Sequence, residues 1–397
     1  MAIPVLFGNG RHIDMAQRLK TDWTLFTTVL VMVSFGLLIL YSASSITAKM
    51  DPRFGSSWHF VTRQLEWAVV AVIAMMALKR TDYRKFQDPA VAFGAIGIVL
   101  TLLIAVYFLD AKSHRWLRLT GPIGFQPSEL AKPALVVFLA FFVTWRRRAI
   151  NNKRYTLVPA ALAVGLVILL VVVPDLGTAV VLGAVAAVIF FVAGLEWRYV
   201  LIAAAVASVG VVLCIVMSPY RLARVVKFFD PQFSFISKFD RQGKIKTQME
   251  KSLATRDTNY QLEQSQIAVG AGGPVGVGLT NGRQKLLYLP EAHTDFIYAV
   301  VGEELGLIGT CGLLLGFGLI FWRGLRATVW IRDDFGRYLA LGVTVVIVVQ
   351  GLINISVVLG MMPTKGIPLP MISYGGSSLL STLTLLGILM NVSEHAG

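Results

Sequence analysis

Apolar residues run in blocks of about 20 along most of this 397-residue chain. A helix of that length crosses a hydrocarbon core of about 30 Å. Lipid offers the backbone no water to bond, so only helices and closed barrels can span it. A barrel needs strands of alternating polarity, and the chain has no such alternation. Composition agrees. The chain is 56% hydrophobic and 15% charged, where soluble domains carry about 25% charged residues. A disordered chain is excluded and an ordinary soluble enzyme is disfavoured. The expected fold class is an all-α polytopic membrane protein.

The blocks predict ten transmembrane helices, at 24–45, 62–78, 89–109, 129–145, 156–173, 178–194, 199–217, 295–322, 338–360 and 376–392. Together they make a single membrane domain over 1–397. Helices 1–7 occupy 1–217, a large outer loop 218–294, and helices 8–10 residues 295–397. Short loops on one side carry 17 Lys and Arg, against 7 on the other. The positive-inside rule puts the richer side, with both termini, in the cytoplasm. The long loop is then extracytoplasmic, and its own 11 basic residues do not oppose this, since long loops translocate largely regardless of charge. A charged insert at 231–258 reads as a solvated helix or a loop. The polar stretch Met1 to Asp22 is not a cleavable signal peptide. The formal charge of +14 is what loop Lys and Arg produce in such a protein and does not indicate nucleic acid. Cys214 and Cys311 lie in apolar runs and read as core residues, with no cluster that suggests a metal. No internal repeat supports an inverted-repeat transporter.

Ionisable groups in or beside the spans are the sharpest clue, because each costs about 2.5–3.5 kcal/mol at mid-bilayer unless partnered or wet. Glu129, Lys132, Asp175 and Asp295 fall near outer helix ends, with Glu303 and Glu304 deeper. The outer loops add Arg115, Arg118, Arg221, Arg224, Lys285 and Lys365. An outward-facing cavity with several cations suits an anionic, membrane-anchored substrate such as a lipid phosphate. In Glu291-Ala-His-Thr-Asp295, Thr294 is an expected N-cap with Asp295 in the first turn, where the helix dipole favours an ionised carboxylate. Such a group can take a proton from a sugar hydroxyl; a plain helix-start Asp is the other reading. His293 is a helper or a loop residue.

Other motifs are weaker alone. Gly270-Ala-Gly-Gly-Pro-Val-Gly-Val-Gly278 lacks the features of a phosphate loop or dinucleotide fingerprint and reads as a re-entrant or compact loop. Prolines in Pro363-Thr-Lys-Gly-Ile-Pro-Leu-Pro370 forbid regular helix. Lys365 within it is a snorkelling cation or a point charge for a diphosphate. In Gln126-Pro-Ser-Glu-Leu-Ala-Lys132, Glu129 and Lys132 stand at i, i+3 and are a structural ion pair or cavity residues. Asp175, in Pro174-Asp-Leu-Gly177, is a turn residue that can face the cavity.

With Tyr288-Leu-Pro-Glu-Ala-His-Thr-Asp-Phe296, Gly302-Glu-Glu-Leu-Gly306, Gln126-Pro-Ser-Glu129, Pro174-Asp-Leu-Gly177 and Ile372-Ser-Tyr-Gly-Gly-Ser-Ser378, the chain resembles the SEDS family of polytopic peptidoglycan polymerases over nearly its whole length. Pro363-Thr-Lys-Gly366 and Gly282-Arg-Gln-Lys-Leu286 are more like its division member than its elongation member. The resemblance implies glycosyl transfer from lipid II, a disaccharide-peptide on undecaprenyl diphosphate, at the outer face of the cytoplasmic membrane, and localisation at the septum. It implies that Asp295 is the catalytic aspartate, and that Arg115, Glu129, Lys132, Arg221, Glu291, His293, Lys365 and Ser377 bind substrate. It implies a class B penicillin-binding protein and other divisome membrane proteins as partners. No cofactor is required by it, and a divalent cation, Mg or Mn, is left open. The 231–258 insert is longer than the family leads one to expect. The competing readings are an elongation-specific polymerase, a non-catalytic division scaffold and a lipid II flippase. Glu303 and Glu304, nearer mid-span, are what a flippase would need.

Overall fold

The computed structural model describes residues 21–52, 54–110, 113–120, 123–230, 234, 247, 249, 258–286, 288–363 and 366–396. The helices are α1 (Trp23–Met50), α2 (His59–Arg80), α3 (Pro89–Leu109), α4 (Pro127–Arg146), α5 (Val158–Val172), α6 (Leu176–Val192), α7 (Trp197–Val216), α8 (Pro219–Phe229), α9 (Thr258–Gly272), α10 (Ile297–Trp330), α11 (Asp334–Val358) and α12 (Gly376–Ala396). Among the described residues nine helical segments are long and apolar enough to cross a membrane, and α6 is an apolar helix of 17 residues. The chain is an integral membrane protein. Several helices outrun their apolar blocks, α1 reaching Met50 and α10 Trp330. Nearly all of 231–258 lies outside the described residues.

A short antiparallel hairpin, β1 (Leu117–Thr120) and β2 (Ile123–Phe125), fills the turn before α4. Strands this short leave no alternation to read in the sequence. The cysteines also differ from expectation: Cys214 is half-buried and Cys311 exposed.

α4 is the central post. It is buried except at Leu130 and its last turn, and it touches α3, α6, α11 and α12. Pro133 stands inside it. A proline has no N–H for the carbonyl four residues back, which here is that of Glu129. Ser381 Oγ of α12 donates to that carbonyl at 2.7 Å instead. Elsewhere α12 lies against α2 so closely that a Cβ on Gly387 would stand 2.5 Å from the Met75 carbonyl oxygen. By contrast, no residue of α7 is buried.

α10 is broken at Gly306, whose φ of 63° and ψ of −152° belong to a region only glycine adopts freely. The glycine-rich run after α9 mends the break. Glu303 and Glu304 carbonyls accept from the N–H groups of Val277 and Gly278, each at 3.0 Å. The N–H groups of Leu307 and Ile308 donate to the carbonyls of Gly273 and Pro274, at 2.9 and 3.2 Å. A Cβ on Gly272 or Gly276 would collide with the carbonyls of Gly302 and Glu304. The run is therefore a compact loop pressed against a helix break. α9 also caps α11, through Ser265 Oγ to the Val358 carbonyl at 3.0 Å and Gln266 Nε2 to that of Leu359 at 3.4 Å.

At the opposite end, Asp22 caps α1 through the Leu25 N–H at 3.1 Å. It also accepts from Arg323 Nη2 at 2.7 Å and Ser393 Oγ at 2.6 Å. α1, α10 and α12 are thereby pinned at one point.

Ser381→Ala orphans a buried carbonyl and should cost about 1–3 kcal/mol, seen as a lower melting temperature in detergent. Gly306→Ala should cost at least a similar amount, about 1–3 kcal/mol from backbone strain alone, because its methyl would also strike Gly276 and Gly273.

Candidate active site

The segment before α12 cannot be helical, since Pro368 and Pro370 interrupt it. Its backbone groups find partners on α11 and on the segment leading into α10. Gln350 Nε2 donates to the Pro368 carbonyl at 2.8 Å. One turn on, Asn354 Nδ2 donates to the carbonyls of Ile367 at 2.7 Å and Asp295 at 2.8 Å. Ser373 Oγ accepts from the Leu369 N–H at 2.8 Å and donates to the Thr294 carbonyl at 2.5 Å. The Tyr374 N–H donates to the His293 carbonyl at 3.0 Å. Residues 293–295 are thus laced to 366–374 before any side-chain chemistry begins.

Asp295 does not sit in a helical turn. α10 starts at Ile297, its N-cap is Phe296, and no side chain caps it. Thr294 is not the cap expected from sequence; its hydroxyl bonds Glu291 Oε2 at 2.8 Å. Nor does the dipole decide the Asp295 charge. Burial pushes its carboxyl up to about 6, against Arg115 and Arg224, while Glu291 and Asp175 reinforce the rise. As a residue Asp295 is half-buried. Gly366 leaves room for it, because a Cβ there would overlap Asp295 Oδ2.

Arg115 reaches the site on a strained turn. Asp110, at the end of α3, accepts from the backbone N–H groups of Ser113, Arg115 and Trp116 and from the Ser113 hydroxyl. Those bonds hold its carboxyl well below the usual range, and His114 takes a φ of 51°. Arg115 Nη2 then lies 3.5 Å from Asp175 Oδ2. Asp175 also caps α6 through the Thr178 N–H at 3.1 Å and accepts from Gln126 Nε2 at 3.1 Å. It is both the turn residue and a site residue.

The other expected residues divide. Glu129 and Lys132 form a buried ion pair at 2.7 Å, and Lys132 Nζ also donates to Gln350 Oε1 at 2.7 Å. Glu291 is exposed in the left-handed region, at φ 58°. His293 packs 4.5 Å from the Phe60 ring, and burial lowers its pKa against the pull of Glu291. It is a packed ring in the loop. Arg221 points to the end of α5, donating to the carbonyls of Val172 at 3.4 Å and Val173 at 2.5 Å. Arg224, one turn further along α8, adds to Arg115 a smaller charge effect on Asp295. Ser377 is buried in the first turn of α12, and none of the bonds above involves it. Lys365 lies outside the described residues.

The deeper carboxylates are committed elsewhere. Glu304 accepts from Lys285 Nζ at 2.5 Å and Ser42 Oγ at 2.7 Å. Glu303 accepts from the N–H groups of Arg283 at 2.7 Å and Gln284 at 3.2 Å. Lys285, which its loop position places outside, is buried. Gln126 is marked in the sequence only by its motif, and Gln350 and Asn354 not at all, because a polar amide in an apolar helix carries no charge to flag it. Among the described residues no three His, Cys, Asp or Glu side chains gather as a metal would require.

The family model of the cell cycle proteins, which spans FtsW, RodA and SpoVE, matches residues 22–397. A probable peptidoglycan glycosyltransferase FtsW of Trichlorobacter lovleyi is 37% identical over 94% of this chain and 93% of its own. Stage V sporulation protein E of Bacillus subtilis is 35% identical over 96% of this chain and 99% of its own. Among solved structures, a chain from a peptidoglycan synthase complex that coordinates polymerization and crosslinking superposes with a TM-score of 0.72 at 28% identity, over 94% of this chain and 98% of that one. The rod shape determining protein RodA of Thermus thermophilus gives a TM-score of 0.63 at 26% identity, over 96% of this chain and 98% of that one. With its broken α10, its laced Asp295 segment and these matches across nearly its full length, the chain belongs to the FtsW, RodA and SpoVE family of cell cycle proteins.

Proposed function

We propose that the chain is a peptidoglycan glycosyltransferase of the FtsW type that polymerises lipid II for septal wall synthesis. The relatives named for that activity support the reaction class and the division-type assignment. The observation that carries the mechanism is Asp295: a carboxyl just before α10, raised to about 6 by burial and opposed by the charges of Arg115 and Arg224. A base with a pKa near the working pH is the efficient one.

Asp295 takes the proton of the 4-hydroxyl of the acceptor GlcNAc. That oxygen bonds to the anomeric carbon of the donor chain's terminal MurNAc, and the bond from that carbon to the diphosphate oxygen breaks. Undecaprenyl diphosphate leaves with the electron pair, and α configuration becomes β. One carboxylate suffices, because the diphosphate needs no protonation to depart. Its charge falls to cations already at the rim, Arg115 and Arg224, with Lys365 added on its motif alone. Glu129 and Lys132 set the wall of the site through Gln350.

The solved complex that pairs polymerization with crosslinking supports a crosslinking partner, which we take to be a class B penicillin-binding protein. The loop charges favour cytoplasmic termini and an outer-face site. A flippase, suggested by the same charged cavity, would need Glu303 and Glu304 near mid-span, and both are occupied by bonds to the Arg283 N–H and the Ser42 hydroxyl.

Asp295→Asn should lower polymerisation by about 10²–10⁴-fold while the protein still folds and inserts. The assay is glycan formation from labelled lipid II in detergent, where a flippase has no bilayer to work across. Wild-type product from the Asn variant would sink the assignment. The pH profile has a definite sign. A base with its pKa raised to about 6 is protonated and inactive below that pH, so turnover should climb through pH 6 and level off above it. A profile flat down to about pH 4.5 would mean that the base has an ordinary carboxylate pKa.

A further inference from the structure

We infer that Asn354 of α11 is a positioning residue for the reaction, holding the Asp295 backbone and the Gly366–Ile367 segment as one rigid unit around the Asp295 carboxylate. The inference rests on the reading of Asp295 as the base.

Three observations carry it. First, the two N–H groups of one side-chain amide serve two chain segments, donating to the Asp295 carbonyl at 2.8 Å and the Ile367 carbonyl at 2.7 Å. Both partners are acceptors, so only the NH₂ end of the amide can face them. Second, Asn354 is 1% exposed, and its Oδ1 is buried without a hydrogen-bond partner. Buried polar atoms are rarely left so; the amide is retained for its donors although its acceptor is orphaned. Third, the residue preceding Ile367 is the one whose missing side chain makes room for the carboxylate, since a Cβ on Gly366 would overlap Asp295 Oδ2. Asn354 therefore sets the spacing between the base and the surface it lies against. No other side chain described here bonds both segments at these carbonyls. Ser373 and Tyr374 act one and two residues earlier, on Thr294 and His293.

Asn354→Leu removes both donors at similar size. Gly366→Ala leaves the Asn354 bonds intact and pushes the carboxylate aside. Both should lower kcat by about 10–100-fold, since a misplacement of about 1 Å can cost about 10²-fold, with KM for lipid II within about threefold of wild type. A carboxyl loosened from its packing is better hydrated, so the acidic limb of the kcat profile should move to lower pH in both variants. Asp295→Asn is assayed beside them, with thermal melting of each preparation and rates normalised to folded protein. If Asn354→Leu folds less well but keeps wild-type kcat and an unmoved acidic limb, Asn354 is merely structural and the inference fails. Should Asn354→Leu not fold, Gly366→Ala decides alone: wild-type kcat and limb overturn the inference. If Asp295→Asn polymerises normally, the base assignment has failed instead.

Discussion

Where α10 bends at Gly306, four backbone groups that would have bonded one another along a continuous helix turn to the glycine loop instead. The carbonyls of Glu303 and Glu304 and the N–H groups of Leu307 and Ile308 all find partners between Gly273 and Gly278. In an apolar interior each unmet group costs several kcal/mol, so the bend exists only with that loop in place. The loop fits only because Gly272 and Gly276 present no side chain to the α10 backbone. Fixing the loop fixes α9, and α9 caps α11 through Ser265 and Gln266. α11 in turn carries Gln350 and Asn354, which hold the segment around Asp295. The geometry around Asp295 is thus inherited from a helix break elsewhere in the fold.

The ionisable groups sort by how fully they are committed. Lys285, Glu304 and Ser42 bond one another, and Glu303 receives two backbone N–H groups. Lys132 lies between Glu129 and Gln350. Removing one member of a buried pair typically costs about 3–5 kcal/mol, so these sets act as architecture whatever else they touch. Around Asp295 the pattern is looser. Arg115 meets Asp175 at 3.5 Å with a third of its side chain exposed. Loosely held charge at a rim can turn toward a ligand; charge locked in a buried pair cannot without breaking the pair.

This sorting also explains what can be read from sequence. Apolar blocks mark the spans plainly, because lipid demands an uninterrupted run. Pro133 announces a missing N–H, but Ser381, nearly 250 residues away, is named only by the fold. Asp295 stands out as a charge beside a span. Its protonation does not, because the dipole argument takes the helix to begin two residues too early. Arg221 and Arg224 look equivalent, three residues apart on one short helix. The exposed end of α5 claims the first, while the charge of the second bears on Asp295. Lys285 reads as a loop cation until the loop is seen folded inward. Asn354 and Gln350 are silent in sequence because neutral amides in an apolar run resemble any tolerated polar residue.

Burial and dipole oppose each other at Asp295, and their sizes decide the outcome. A helix N-terminus returns about 0.3–1 kcal/mol to a nearby anion, and only within its first turn. Moving the carboxyl from the ordinary range to about 6 reflects roughly 3 kcal/mol against the charged form. Burial therefore wins even with two arginines on the other side. An acid weakened this far is a better proton acceptor than a free aspartate, yet it is still largely ionised at neutral pH. Both conditions are needed in a base that must accept a sugar hydroxyl proton and be regenerated for the next transfer. The same packing that raises the pKa, with Gly366 against the carboxylate and Asn354 behind the backbone, also keeps the group from swinging out to water, so basicity and placement have one physical origin.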